Sequence, residues 1–311
     1  MPPGAGSWRY FRGNPWTNYV KIVLEILPVE FSCILCYDLT SMIQVGAAED
    51  GGMKFFKDIK KYWSYTVRSA KAELKSEVAS SYLSWLWWIL DPLLFMMVYT
   101  FIAVIVFEKG GKYFPIFVFI GLTMWNFFNT VVLGSVKIVK NNSATVSKVY
   151  IPKFILVIKR MMVNGFKMAI SFILVFILMG VYQVPVSYHI LYIFPVLAVM
   201  MLVTFGISNL MLHFGVFVED LRNVMTVVMR LCFYMSGIFY SISERVPEPY
   251  NKIMQQWNPA AFLIDCARHC LIYSGTPARK VLLVWGVVGL ILSVLSIKVV
   301  YKYENSYVKV I

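Results

Sequence analysis

Six stretches of this chain, Trp85–Phe107, Pro115–Val139, Met161–Tyr182, Tyr188–Leu212, Val224–Ile242 and Val281–Val300, are long, apolar and nearly free of charge. About twenty apolar residues in a helix cross a hydrocarbon core of roughly 30 Å, whereas a soluble helix alternates apolar and polar faces over a shorter length. Inside lipid the backbone must satisfy its own hydrogen bonds, which a helix does within one segment. The expected fold is therefore an all-α membrane protein with six transmembrane helices. Composition agrees, with 59% hydrophobic and 14% charged residues in a chain of 311.

A net charge of +13 raises nucleic acid as a partner. No zinc-ligand spacing or RNA-binding aromatic motif accompanies the charge, so no nucleic-acid partner is expected. The distribution of the bases fits a bilayer instead. Lys and Arg are more than twice as frequent on the side that holds the approach to the first span, the second-to-third connection and the tail as on the other side. That bias predicts a multi-pass plasma-membrane protein with both termini cytoplasmic, and an even number of spans agrees.

Three regions follow. Residues 1–52 contain a weak apolar stretch broken by Glu25, Pro28, Glu30 and Asp38, which suits neither a span nor a signal peptide. With the abrupt basic opening at Met53, they are expected to be an upstream extension or a flexible tail. In residues 53–84, Ile59, Trp63, Val67, Ala70, Leu74 and Val78 recur at helical spacing, while Lys57, Lys60, Lys61, Arg68, Lys71 and Lys75 fall largely off that stripe. This predicts an amphipathic helix lying in the headgroup layer among the membrane lipids, with packing on a protein partner as the alternative. Residues 85–311 form the six-helix transmembrane domain.

Intrinsic catalysis has no support. There is no G-x-x-x-x-G-K-[ST] phosphate loop, and Gly110-Gly111-Lys112 lacks both its glycine spacing and its hydroxyl residue. Neither H-E-x-x-H nor a G-x-S-x-G elbow occurs. The five cysteines give no disulfide framework, and Cys33 and Cys36 form a lone C-x-x-C. Cys266, His269 and Cys270 share a helix face but find no further ligand in the sequence, so no metal and no cofactor is expected.

Several segments in order carry a family resemblance: YLSWLWWILDPLLFMMVY at Tyr82–Tyr99, NNSATVSKVYIPK at Asn141–Lys153, HFGVFVEDLRNV at His213–Val224, SGIFYSISERVPEPY at Ser236–Tyr250 and WNPAAFLIDCARHCLIYSG at Trp257–Gly275. With the amphipathic lead-in helix, residues 53–311 resemble the type 2 ABC transporter permeases that export O-antigen, capsular polysaccharide and teichoic acid. Where many members place an Arg before the Asp of the fourth-to-fifth connection, this chain has Glu219 before Asp220. The resemblance implies a homodimer bound to two separate ATP-binding cassette subunits, which hold the ATP and Mg, with lipid-linked polysaccharide passing between the protomers. A membrane-bound enzyme or scaffold of glycopolymer assembly, without an ATPase, is the alternative.

That resemblance gives the candidate sites their roles. The short, polar connection with Asn141, Asn142, Lys148, Val149, Tyr150 and Pro152 lies on the basic side, as a segment touching an ATPase must, a structureless loop being the alternative. Ser243–Lys280 is too long and too polar for a tight turn, yet Ala260–Ile272 has helical apolar spacing interrupted by Asp265, Arg268 and His269. A re-entrant or half-buried helical hairpin before the last span explains both, with Trp257, Asn258 and Pro259 at its apex. Tyr99 and Trp125 lie deep enough to stack on sugar faces in a passage, anchoring in an aromatic belt being the alternative. Asp91 and Arg230 are the two charges expected inside spans, at similar depths, and an ion pair within or between protomers at a gate of the passage would offset their cost.

Overall fold

The computed structural model describes residues 51–79, 84–106, 111, 113–185, 187–248 and 250–310. Residues 1–50 therefore lie outside the described residues, as does the expectation made for nearly all of segment 1–52.

Helix α1 spans Gly51–Ala79 and α2 spans Ser84–Phe101, the latter carrying Pro92 and running into a π-helical stretch at Ile102–Val106. Next come α3 (Phe114–Ser135), two short helices α4 (Ile138–Asn141) and α5 (Ser143–Val146), and α6 (Phe154–Val181). Helix α7 (Ile193–Phe217) leads to α8 (Leu221–Met235), then to the short α9 (Ile242–Arg245), α10 (Tyr250–Trp257) and α11 (Pro259–Leu271), and the long α12 (Arg279–Val310) closes the chain. Among the described residues there is no strand, so the all-α architecture is as expected.

Helix α3 is apolar over most of its surface and sits at the centre, with Ile116, Val118, Phe119, Ile120 and Met124 fully buried. So apolar a helix has to be enclosed by protein or by lipid, and here α2, α6, α7, α8 and α11 pack around it, leaving Asn126 and Thr130 exposed. Helices α7 and α12 form the most extensive helix pair. Small residues let them approach: a Cβ at Gly206 would come within 2.9 Å of the Leu292 Cβ and 3.0 Å of the Ser293 backbone nitrogen, and the Ser293 hydroxyl donates to the Leu202 carbonyl at 3.0 Å.

Five helices among the described residues have the length and hydropathy of membrane spans: Trp85–Ile105, Phe114–Ser135, Phe154–Val181, Tyr188–Phe217 and Arg279–Tyr307. The sixth expected span, Val224–Ile242, is interrupted. Helix α8 has 15 residues, about 22 Å of rise, and stops at Ser236 because Gly237 turns the chain with φ +61. The irregular segment after it is tolerated because Ser236, Gly237 and Ile238 are buried in protein. Helix α6 begins seven residues before the expected Met161, and α12 runs ten beyond the expected Val300. At 28 and 32 residues these helices exceed the roughly 30 Å of a hydrocarbon core and project from the end of the bundle that bears α1, the basic end.

Helix α1 is amphipathic as expected, and Lys57, Lys60, Lys61, Arg68, Lys71 and Lys75 are all exposed. Its inner stripe, however, packs on the chain's own bundle rather than on lipid alone. Phe55 meets Phe154 and Phe205 with ring centroids 5.1 and 6.5 Å apart, and Glu73 and Glu77 pair with Lys159 and Lys167 of α6 at 2.7 and 2.6 Å. Trp63, expected on that stripe, is exposed instead, as is Phe56.

Candidate functional site

The expected contact segment between α3 and α6 is built as a short shelf. Helix α4 passes into α5 through Asn142, whose side-chain amide donates back to the Ile138 carbonyl at 2.7 Å. Asn141, Lys148, Val149 and Tyr150 are exposed on the outer side, Val149 at 55% and Tyr150 at 56%. The underside is anchored: Val146, Ile151 and Phe154 belong to a buried apolar cluster that also holds Val139, Leu212, Val300 and Tyr307. Pro152 is buried and ends the shelf just before α6 begins.

A polar network ties that shelf to both helical extensions. The buried Lys153 ammonium lies 3.7 Å from one Glu304 carboxylate oxygen of α12 and donates to the Ile151 carbonyl at 3.3 Å. The Tyr150 hydroxyl donates to the other Glu304 oxygen at 2.9 Å, and the Tyr62 hydroxyl of α1 donates to the Tyr150 carbonyl at 3.2 Å. Nearby, the Tyr301 hydroxyl donates to Asp58 of α1 at 2.6 Å. Burial pushes the Lys153 pKa below the ordinary lysine value, with Glu304 opposing that shift. Burial, then the hydrogen bond to Glu304, pushes Tyr150 above its ordinary value. Beside the shelf, Lys137 and Lys140 face Glu219 and Asp220 across a cavity of about 440 Å³, so both signs of charge line this part of the basic end.

The hairpin before the last span forms as expected. Asn258 lies between α10 and α11, its side-chain oxygen capping α11 by accepting from the Ala260 and Ala261 amides at 3.1 and 3.3 Å. Pro259 follows at the first helical position, where the missing N–H costs nothing. Trp257 is 79% exposed. The hairpin is half-buried: α10 has no buried residue, while α11 is buried against α3 and α7. Arg268 is only 2% exposed and clamps three elements. Its guanidinium donates to the Phe117 carbonyl at 3.1 Å and to those of Gly237 and Ile238 at 2.8 Å each, and it lies over the Phe117 ring at 3.4 Å. The clamp fastens the hairpin to the point where α8 breaks, and Asn258 adds a bond to the Ser236 hydroxyl at 3.0 Å.

The four residues expected to line a passage sit in different surroundings. Trp125 is a core residue, 3% exposed and packed on Phe128 and Phe233, because it belongs to the enclosed helix α3. Tyr99 stacks on Phe239 with centroids 3.5 Å apart. Asp91 and Arg230 are both exposed, and within the chain no ion pair joins them among the described residues. Asp91 instead lines a polar pocket of about 430 Å³ between α2, α3 and α6, together with Trp88, Asn126, Thr130, Asn164 and Lys167. Lys167 is a further charge, beyond the two expected inside spans, and stands within the expected third span. It pairs with Glu77 and lies over the Trp88 ring at 5.1 Å. The residues Cys266, His269 and Cys270 do not assemble a metal site: among the described residues no group of three or more ligating side chains is found, and His269 faces Asp265 at 3.6 Å.

Five helices of membrane-span length, one of them central, a basic-end shelf, a clamped hairpin and a basic lead-in helix are the architecture of a multi-pass membrane protein. Residues 67–272 match the family described as ABC-2 type transporter, and the chain belongs to that family. Among its relatives, the O-antigen export system permease protein RfbA of Klebsiella pneumoniae is 25% identical over 240 residues, covering 77% of this chain and 92% of that protein. The O-antigen export system permease protein RfbA of Myxococcus xanthus is 24% identical over 241 residues, again covering 77% of this chain and 92% of the relative.

Proposed function

We propose that this chain is the membrane-spanning subunit of an ATP-driven exporter of lipid-linked polysaccharide. It acts as a homodimer in the plasma membrane, with both termini in the cytoplasm, and two separate ATP-binding subunits hold and hydrolyse ATP with Mg. The names of its relatives support the cargo, and the absence of a phosphate-cradling loop from the sequence supports a separate ATPase. The observation that carries the reading is the shelf, where exposed Lys148, Val149 and Tyr150 stand on a buried and hydrogen-bonded underside. An ATPase pressing on such a surface moves α1, α6 and α12 together, because Tyr62, Lys153 and Glu304 join all three to it.

Changing Val149 and Tyr150 to Asp tests this. The double variant is expected to reach the membrane and to lose ATP-driven export while the partner's ATP hydrolysis continues. Export at the wild-type rate would refute the role of the shelf.

A further inference from the structure

The pocket between α2, α3 and α6 has an unusual lining for a membrane interior. Its apolar part includes Trp87, Trp88, Phe127 and Met168, and among these stand a carboxylate, an ammonium, two amides and several hydroxyls. Polar groups at this depth are costly unless something satisfies them. The Thr123 hydroxyl, 3% exposed, has no hydrogen-bond partner. Asn126 and Asp91 are exposed toward the pocket side of their helices. Asn164 spends its amide N–H on the Arg160 carbonyl at 2.9 Å, leaving its oxygen as an acceptor.

The charge balance says what kind of ligand fits. Lys167 is the cation of the lining, and it is already engaged by Glu77 at 2.6 Å and lies over the Trp88 ring. What faces the ligand is therefore Asp91 with neutral donors and acceptors, a poor seat for a bare phosphate. A sugar ring suits it: hydroxyls for the carboxylate and amides, and a C–H face for an indole. The volume of about 430 Å³ lies within the range of small-molecule sites. The location suits a membrane-borne ligand, since Glu77 lies two residues before the described end of α1, where the amphipathic helix gives way to the first span.

We propose that this pocket is a glycan subsite that receives the sugar unit nearest the lipid carrier of a membrane-embedded glycolipid before it enters the passage. Trp87 supplies the stacking face, Asp91 and Asn126 hold hydroxyls at the mouth, and Thr123 meets one at the base. This inference rests on the polysaccharide-export reading above and locates where its substrate is first read.

The test uses the full chain with its ATP-binding partner in lipid nanodiscs. Three probes are titrated: a polyprenyl-phosphate-linked oligosaccharide, the same polyprenyl phosphate without sugar, and the free oligosaccharide. The wild type is expected to bind the glycosylated lipid more tightly than either of the others. Asn126→Ala, Asp91→Asn and Thr123→Val should each weaken that binding roughly three- to tenfold, the worth of one hydrogen bond, and leave the sugar-free lipid unaffected. Asn126 is exposed, so its variant tests the subsite even if Thr123→Val disturbs packing. Equal affinity of the variants and the wild type for the glycosylated lipid, or equal losses for both lipids, would overturn the subsite. If the variants bind and export as the wild type does, the subsite fails while export stands. If the wild-type complex neither binds nor exports the glycosylated lipid, the export reading falls and the subsite with it.

Discussion

Replacing Lys153 by Met tests the network under the shelf most sharply. Its side chain is 2% exposed and that of Glu304 is 7% exposed, so removal of the ammonium strands a buried carboxylate whose remaining support is the Tyr150 hydroxyl. Breaking one side of a buried ion pair costs roughly 3–5 kcal/mol, because the surviving charge stays desolvated. Glu304→Gln strands the ammonium in the same way, and a cost of similar size is expected. The double variant leaves neither charge and should lose less than either single variant, giving a coupling of at least about 2 kcal/mol. Reversible unfolding in mixed micelles, followed by helical circular dichroism, measures all four corners of the cycle. Export measured in parallel should fall in both single variants, since the shelf is then held less firmly to α12. Additive losses, or single variants within about 0.5 kcal/mol of wild type, would refute the claim that this pair fastens the shelf.

Other outcomes follow from the same packing. Arg268→Leu removes three buried charge-assisted bonds at once and is expected to destabilise the protein by at least 3 kcal/mol or so, read as a thermal shift with loss of export. Gly206→Val places a branched side chain where a single Cβ already meets Leu292 at 2.9 Å, and should cost about 1–3 kcal/mol in the same unfolding assay. Asp91→Asn and Arg230→Gln should lose export additively, because Asp91 lines the pocket beside Lys167; a coupling above about 1 kcal/mol would instead place the two in contact across the homodimer. A chain starting at Met53 should insert and export, which a complementation assay checks directly.

The apolar runs made the spans legible, and Asn258-Pro259 with the spacing of Ala260–Ile272 made the hairpin legible. The sequence could not rank the spans by burial. Lipid and protein interior are both apolar, so the largely enclosed α3 carries the same hydropathic signature as helices that face lipid, and the depth of Trp125 does not reveal that it is a core residue. The periodicity of α1 showed that it has an apolar face but not what that face meets. Depth along a helix can be counted from sequence, whereas angle around the bundle cannot, so the sharing of one pocket by Asp91 and Lys167 has no sequence signature. Lys153 and Glu304 are distant in sequence, and no local pattern joins them. Lys167 did carry a signal, a lysine inside an apolar run, and the rule that intramembrane charge marks function would have found it.

The central claim is tested most directly by reconstituting the chain in proteoliposomes with its ATP-binding partner and following a fluorescent polyprenyl-linked oligosaccharide across the bilayer. The account predicts transfer to the opposite leaflet that needs both proteins and ATP hydrolysis, and that stops when Val149 and Tyr150 are changed to Asp. Transfer by this chain alone, or chemical conversion of the glycolipid in place of movement, would contradict it.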